Sequence, residues 1–167
     1  LSTFESGTCA EESTRKAHEA TRDIATNPFI NLYENVLLST ENWQNYDVVG
    51  ISIVGISQII PGLTLARMIK EKYPHLHITL GGPIFSVNAG QLLGHPEFFD
   101  DFCHSIVTFE GEEPMHRLLS ALKAGDALST VPNLLHLDGR EVVQNKERVE
   151  LRFEEWPNPD FEGLPMD

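Results

Sequence analysis

The chain has 167 residues, 12 Lys+Arg against 25 Asp+Glu, and a formal net charge of −13, an acidic balance that argues against a nucleic-acid surface built from clustered cations. Apolar residues at 41% with 22% charged suit one folded domain with its own core rather than a disordered chain. Apolar stretches such as Val48 to Ile56 fall short of the roughly 20 residues that span a bilayer, and no basic-then-apolar N-terminus suggests a signal peptide, so the sequence predicts a soluble, cytoplasmic chain with no membrane partner.

In chain order, Glu11 to about Ala25 is rich in helix formers with a thin apolar stripe of Ala17, Ala20 and Ile24. Asn27-Pro28 then reads as an N-cap followed by proline at the first helical position, opening a helix with Phe29, Leu32, Tyr33, Val36 and Leu37 on one stripe. Val48 to Val54 is a β-branched run without clean alternation, which predicts a strand covered on both faces. Ile59, Leu63, Ala66 and Ile69 recur at helical spacing after Ser57 as N-cap, with Arg67, Lys70 and Glu71 on the opposite side; Tyr73-Pro74 ends that helix. His77 to Leu80 is a second strand, closed by Gly81-Gly82-Pro83, and the three elements make a right-handed βαβ unit.

A short helix around Ala89 to Leu93 precedes a third strand at Ile106 to Phe109. Glu110-Gly111-Glu112-Glu113-Pro114 opens a helix carrying Met115, Leu118, Leu119 and Leu122. Leu134 to Leu137, Asp138-Gly139 and Val142-Val143 predict a hairpin through a type I′ turn. Beyond Glu147 the pattern fades into a Pro-rich tail ending at Asp167. With Leu1 in place of a start methionine, that tail predicts a piece of a longer protein.

Ligands of open parallel sheets sit outside the carboxyl ends of the strands. Three such ends carry small residues here: Val54-Gly55-Ile56-Ser57-Gln58, Gly81-Gly82-Pro83 and Glu110-Gly111-Glu112. No GxGxxG is present, and Gly50 and Gly55 at phosphate-loop spacing are followed by Ile56-Ser57 where Lys-Ser/Thr is required. Asp100, Asp101, Glu110, Glu112 and Glu113 could be drawn as an acid/base or metal cluster, but Glu112 and Glu113 are explained by the positive end of the helix they begin. Cys103 and His104 are neighbours whose side chains point to opposite faces of an extended chain, which argues against a nucleophile–base pair. Only Cys9 and Cys103 exist, too few for a four-thiolate cluster.

Together, Tyr46-Asp47-Val48-Val49-Gly50-Ile51-Ser52, Leu65 to Lys70 with Gly81-Gly82-Pro83, Glu110-Gly111-Glu112-Glu113, the Asp138-Gly139 hairpin and the tail Pro159-Asp160-Phe161-Glu162-Gly163-Leu164-Pro165 resemble the cobalamin-binding domain of B12-dependent radical SAM proteins. The resemblance implies a flavodoxin-like Rossmann fold, an α/β three-layer parallel sheet that here lacks its first strand and adds a C-terminal β-hairpin. Residues 1–46 would form an N-terminal helical segment, 47–147 the cobalamin-binding domain, and 148–167 a linker toward a radical SAM barrel in the same parent chain. The resemblance also implies cobalamin as cofactor, facing Ser52, Val54, Gly55, Ser57, Gln58, Gly81, Gly82, Pro83, Glu110, Gly111 and Glu112.

The family's Asp-x-His-x-x-Gly cobalt-ligating motif is absent, implying cobalamin without a protein axial ligand. S-adenosylmethionine and a 4Fe-4S cluster are expected in the downstream domain, since CxxxCxxC is also absent. By this reading the chain is non-catalytic alone and serves a methyltransferase. Without its first strand, the sheet is expected either to close up or to pair with another chain along exposed strand edges as a dimer. Two other readings stay open: a degenerate Rossmann-like docking or substrate-recognition domain that binds no corrinoid, and a carboxylate-based hydrolase.

Overall fold

The computed structural model describes residues 14–150. Five strands, β1 (Val48–Ser52), β2 (His77–Gly81), β3 (Ser105–Val107), β4 (Leu134–Asp138) and β5 (Glu141–Gln144), form one sheet in chain order. β1, β2 and β3 are parallel, and β4 and β5 run antiparallel to their neighbours, so the fold is α/β and Rossmann-like with a mixed, mostly parallel sheet. The sheet has closed up: β1 pairs directly with β2, from Val48 opposite His77 to Ser52 opposite Gly81. The far side of β1 has no strand neighbour among the described residues.

The helices are α1 (14–20), α2 (Pro28–Leu32), which continues through a π-turn (Tyr33–Leu37) into α3 (Leu38–Thr40), then α4 (Ile59–Lys72), α5 (Pro83–Leu92), α6 (Pro96–Phe102) and α7 (Glu112–Ala124). α4, α5 and α6 pack on one face of the sheet around Ile53, Leu63, Ile69, Leu80, Phe99, Phe102 and Ile106, all fully or nearly fully buried. Burying each such side chain contributes roughly 1.5–3 kcal/mol relative to exposure. α7 covers the other face, where Leu118 and Ala121 meet Val107, Val131 and Leu134. Leu38 and Trp43 join the larger cluster, with Trp43 stacked on Tyr73 at 5.6 Å, so the N-terminal helices share that core.

Several local expectations are corrected. β1 is not covered on both faces: Gly50 and Ser52 are exposed, because α7 packs mainly over β3 and β4 and reaches β1 with side chains such as Met115. The buried residues of α2 and α3 are Ile30 and Leu38, while Leu32 and Val36 face solvent. Ser57 is not an N-cap. It lies within a 3-10 turn (Ile56–Gln58) before α4, and the Gln58 carboxamide oxygen accepts from Val54 N at 2.8 Å and Gly55 N at 3.3 Å.

Arg67 is buried rather than solvent-facing, bonded to Glu71 at 2.6 Å and to the Thr21 carbonyl at 2.8 Å. Lys70 reaches inward as well, and its Nζ donates to the carbonyls of Phe99, Asp100 and Cys103 at the end of α6. That geometry suits a cation at a helix C-terminus. The hairpin turn falls one residue later than expected: Asp138 pairs with Glu141, so Gly139 at φ +63° is the first central residue, a II′ arrangement rather than I′. The first residues of the predicted N-terminal helix and the tail from Pro159 lie outside the described residues.

Candidate functional site

The carboxyl ends of β1, β2 and β3 open into one cleft of about 440 Å³, floored by Gly50, Ser52, Thr79 and Gly81 and walled by Gly82, Val107, Phe109, Gly111, Glu112 and Met115. Three facts of local structure build it. Gly82, at φ +108°, turns the chain from β2 into α5 so closely over β1 that an added Cβ would sit 2.3 Å from the Ile53 carbonyl oxygen. The Ile53 N–H donates to the Gly81 carbonyl at 2.8 Å, which locks the exits of β1 and β2 together. After β3, Phe109 adopts φ +60° and its N–H donates to Ser86 Oγ at 2.7 Å, fixing the β3 exit to the first turn of α5.

Asn133 anchors this end from beneath. Nearly fully buried and at φ +53°, it accepts at its carbonyl from the Thr108 N–H and Oγ1–H, both at 2.9 Å. Its side chain donates to the Val149 carbonyl at 2.8 Å and accepts from Val149 N at 3.1 Å. The segment 147–149 is thereby strapped beside Phe109, with the Arg148 guanidinium 3.9 Å over its ring.

Of the residues singled out in the sequence, Ser52, Gly81, Gly82, Gly111 and Glu112 line the cleft. Val54, Gly55, Ser57 and Gln58 form the adjoining turn, with Val54 and Ile56 strongly exposed and the Gln58 side chain spent on closing that turn. Pro83, the exposed first residue of α5, and Glu110 are not in the lining; Glu110 is half-buried, with one carboxylate oxygen without a partner among the described residues. Gly50, Thr79, Val107, Phe109 and Met115 were not singled out. Two of them left a signal: a glycine inside a strand marks close approach, and Thr79 shares a face with His77 and Gly81 by strand alternation.

The carboxylates do not converge. Asp101 sits before β3, bonded to His18 at 2.5 Å and Arg22 at 3.3 Å, whereas Glu110 and Glu112 follow β3 and Glu113 pairs with Arg117 at 2.7 Å. Among the described residues no group of three or more His, Cys, Asp or Glu could hold a metal ion. None of the described helices is long and apolar enough to cross a membrane.

Titratable groups gather instead near the amino ends of β2 and β3. Burial pulls His77 down to about 4, with like charge from His104 and Lys70 adding to the effect. His104 is also pulled down to about 4, by burial and then by Lys70, and its Nδ1 accepts from Ile78 N at 2.9 Å. Burial lowers Lys70 and raises the Cys103 thiol, so Cys103 is an inert packing residue rather than a nucleophile.

No family model matches this chain, and no curated protein matches it. Among solved structures, one that resembles it is the radical S-adenosylmethionine methyltransferase TsrM from Kitasatospora setae, determined with cobalamin and a 4Fe-4S cluster bound. The match has 21% identity and a TM-score of 0.46, and covers 65% of this chain and 20% of that one. This chain therefore spans only a minor part of the enzyme's length. A likeness of that degree assigns no role to any residue.

Proposed function

We propose that the cleft at the carboxyl ends of β1–β3 holds part of a cobalamin, and that residues 47–147 act as the corrinoid-binding module of a radical SAM methyltransferase. The observation that carries this reading is a glycine at each of the three strands lining the cleft: Gly50, Gly81 and Gly111 all face it, and a Cβ at Gly50 would already stand 3.3 Å from Met115 Cε. Glycines at these points suit the close approach of a wide, flat ligand to the backbone.

A cleft of about 440 Å³ is too small to enclose a corrinoid whole. It suits one edge of the macrocycle or the nucleotide tail, with the remaining apolar surface spread over exposed Val54, Ile56 and Phe109. Among the described residues no histidine lines the cleft. Bound there, cobalamin would supply methyl relay from S-adenosylmethionine. The residues named here bind and orient it and keep water from one face. S-adenosylmethionine and the iron–sulfur cluster belong to a barrel reached through the linker 148–167, and pairing of two copies through the free edge of β1 belongs to the same proposal.

The test is titration of the chain with hydroxocobalamin, followed by its visible spectrum and by co-migration on gel filtration. Gly81→Ala is the matched variant, because its Cβ would meet only the Val107 carbonyl at 3.6 Å and the fold tolerates it while the cleft narrows. Binding by the wild type that weakens about tenfold in Gly81→Ala, a loss of about 1.4 kcal/mol, supports the reading. An unchanged spectrum with no co-migration overturns it in favour of a docking domain.

A further inference from the structure

A second cavity lies among α1, α4, α5 and α6, on the face of the sheet opposite α7. It measures about 190 Å³ and shares no lining residue with the cleft. Ile59 and Leu63 of α4, Ile84, Phe85 and Leu92 of α5 and Phe98 of α6 give it apolar walls, and the Phe85 and Phe98 rings meet edge to face at 6.3 Å. Thr14 and Ala17 of α1 close the remaining side. That side is fixed in place: Arg67 donates to the Thr21 carbonyl at 2.8 Å, and the Asp101 carboxylate bonds His18 at 2.5 Å and Arg22 at 3.3 Å. An apolar cavity of about 150 Å³ stays dry and takes up benzene, so this one has room for a single aromatic ring with a short substituent.

Two polar residues in the lining have their donors spent and an acceptor left over. A carbonyl or an ionised carboxylate oxygen can only accept. Asn88 Nδ2 stands 2.7 Å from the Ile84 carbonyl oxygen, so the amide NH₂ is committed there and Oδ1 remains. His95 Nδ1 stands 2.7 Å from Glu97 Oε1, so Nδ1 carries the proton and Nε2 of the neutral imidazole keeps its lone pair. Neither Asn88 Oδ1 nor His95 Nε2 has a partner among the described residues, and neither atom is sealed inside the core. Both residues line the cavity, and the His95 side chain is only 12% exposed. Among the described residues no lysine or arginine lines it. The cavity therefore pairs an apolar body with acceptors that lack a donor.

We propose that this cavity binds a small aromatic molecule, its ring against Phe85 and Phe98 and its one hydrogen-bond-donating head, a hydroxyl or an amine, taken by Asn88 Oδ1 and His95 Nε2. The site is independent of the cobalamin reading of the cleft.

The test compares phenol with toluene, which has the same shape with a methyl in place of the hydroxyl. Each is titrated into the intact chain at pH 7 while the methyl resonances of Ile59, Leu63, Ile84 and Leu92 are followed by NMR. Burying a hydroxyl without an acceptor would make phenol the weaker ligand by about tenfold or more. With acceptors waiting, phenol should bind at least as tightly as toluene. The double variant Asn88→Leu with His95→Phe, which removes both acceptors and keeps apolar bulk, should weaken phenol about tenfold and leave toluene within about threefold. Filling the space from α1 with Ala17→Leu, or with Ala17→Phe, should weaken both ligands at least tenfold in whichever variant keeps the wild-type circular dichroism. Toluene binding about tenfold tighter than phenol would overturn the assignment of the head. Absence of saturable shifts at these methyls with either ligand, or unchanged binding in the filled variants, would overturn the site.

Discussion

Gly82→Ala should be among the most damaging single-methyl changes this chain can suffer. At φ +108° an L-residue is strained, at a cost of roughly 1–2 kcal/mol. The new Cβ would also stand 2.3 Å from the Ile53 carbonyl oxygen, 2.8 Å from its carbon and 3.0 Å from its nitrogen. These are backbone atoms, so no side-chain rotation relieves the contact and the exit of β1 must move. Moving it breaks the Ile53 N–H bond to Gly81, worth about 1 kcal/mol. The expected loss is therefore about 2–4 kcal/mol, read as a lower urea midpoint at unchanged slope by far-ultraviolet circular dichroism. Gly90→Ala, exposed inside α5 with nothing within 4 Å of its Cβ, is the control and should stabilise by up to about 1 kcal/mol through helix propensity. A Gly82→Ala midpoint equal to or above that of the wild type would refute the reasoning about this turn.

Acid should destabilise the fold through His77. Its folded-state value of about 4 lies below the ordinary 6.5, so its contribution is complete above about pH 6.5 and is lost as pH falls toward 4. The loss approaches about 3 kcal/mol, with a smaller, more solvent-screened share from His104. Subtracting the stability–pH curve of His77→Gln from that of the wild type should isolate this slope; parallel curves would contradict it. Asn133→Ala should cost about 2–3 kcal/mol, since it removes both side-chain bonds to Val149 and places alanine at φ +53°. Hydrogen exchange should accelerate at the Val149 amide in both Asn133→Ala and Asn133→Gly, while only the glycine variant recovers the backbone part of the stability.

What the sequence showed most clearly was whatever is encoded by local periodicity and punctuation. The βαβ unit from Val48 to Gly81 was legible because a β-branched run, an i, i+3/i+4 stripe and a second run follow one another between Pro and Gly stops. α6 was missed because its signal is only seven residues long: Phe98, Phe99 and Phe102 carry the helical spacing, but two aspartates separate them. α2 was found with the wrong buried face, since apolar residues lie on more than one side of Phe29 to Leu38 and only Tyr73 and the rest of the core decide which turns inward. In the cleft, the glycine-bearing strand ends were visible as composition. Phe109 and Met115 were not, although they flank Glu110-Gly111-Glu112, because their apolar side chains read as ordinary strand-end and helix-stripe residues; the anchoring by Asn133 comes from a distant part of the chain that no local pattern marks. Lys70 and Arg67 misled for a related reason, as long cationic side chains can extend inward to carbonyl groups supplied by other elements.

The strictly sequential order of the strands bears on how the domain assembles. Register partners such as Val48 and His77, Thr79 and Ser105, and Ser105 and His136 are separated by about thirty residues or fewer, so each pairing closes a short loop at modest entropic cost. No strand has to be inserted between two that have already paired. The sheet can therefore grow outward one neighbour at a time as the chain emerges from synthesis, without undoing any earlier step.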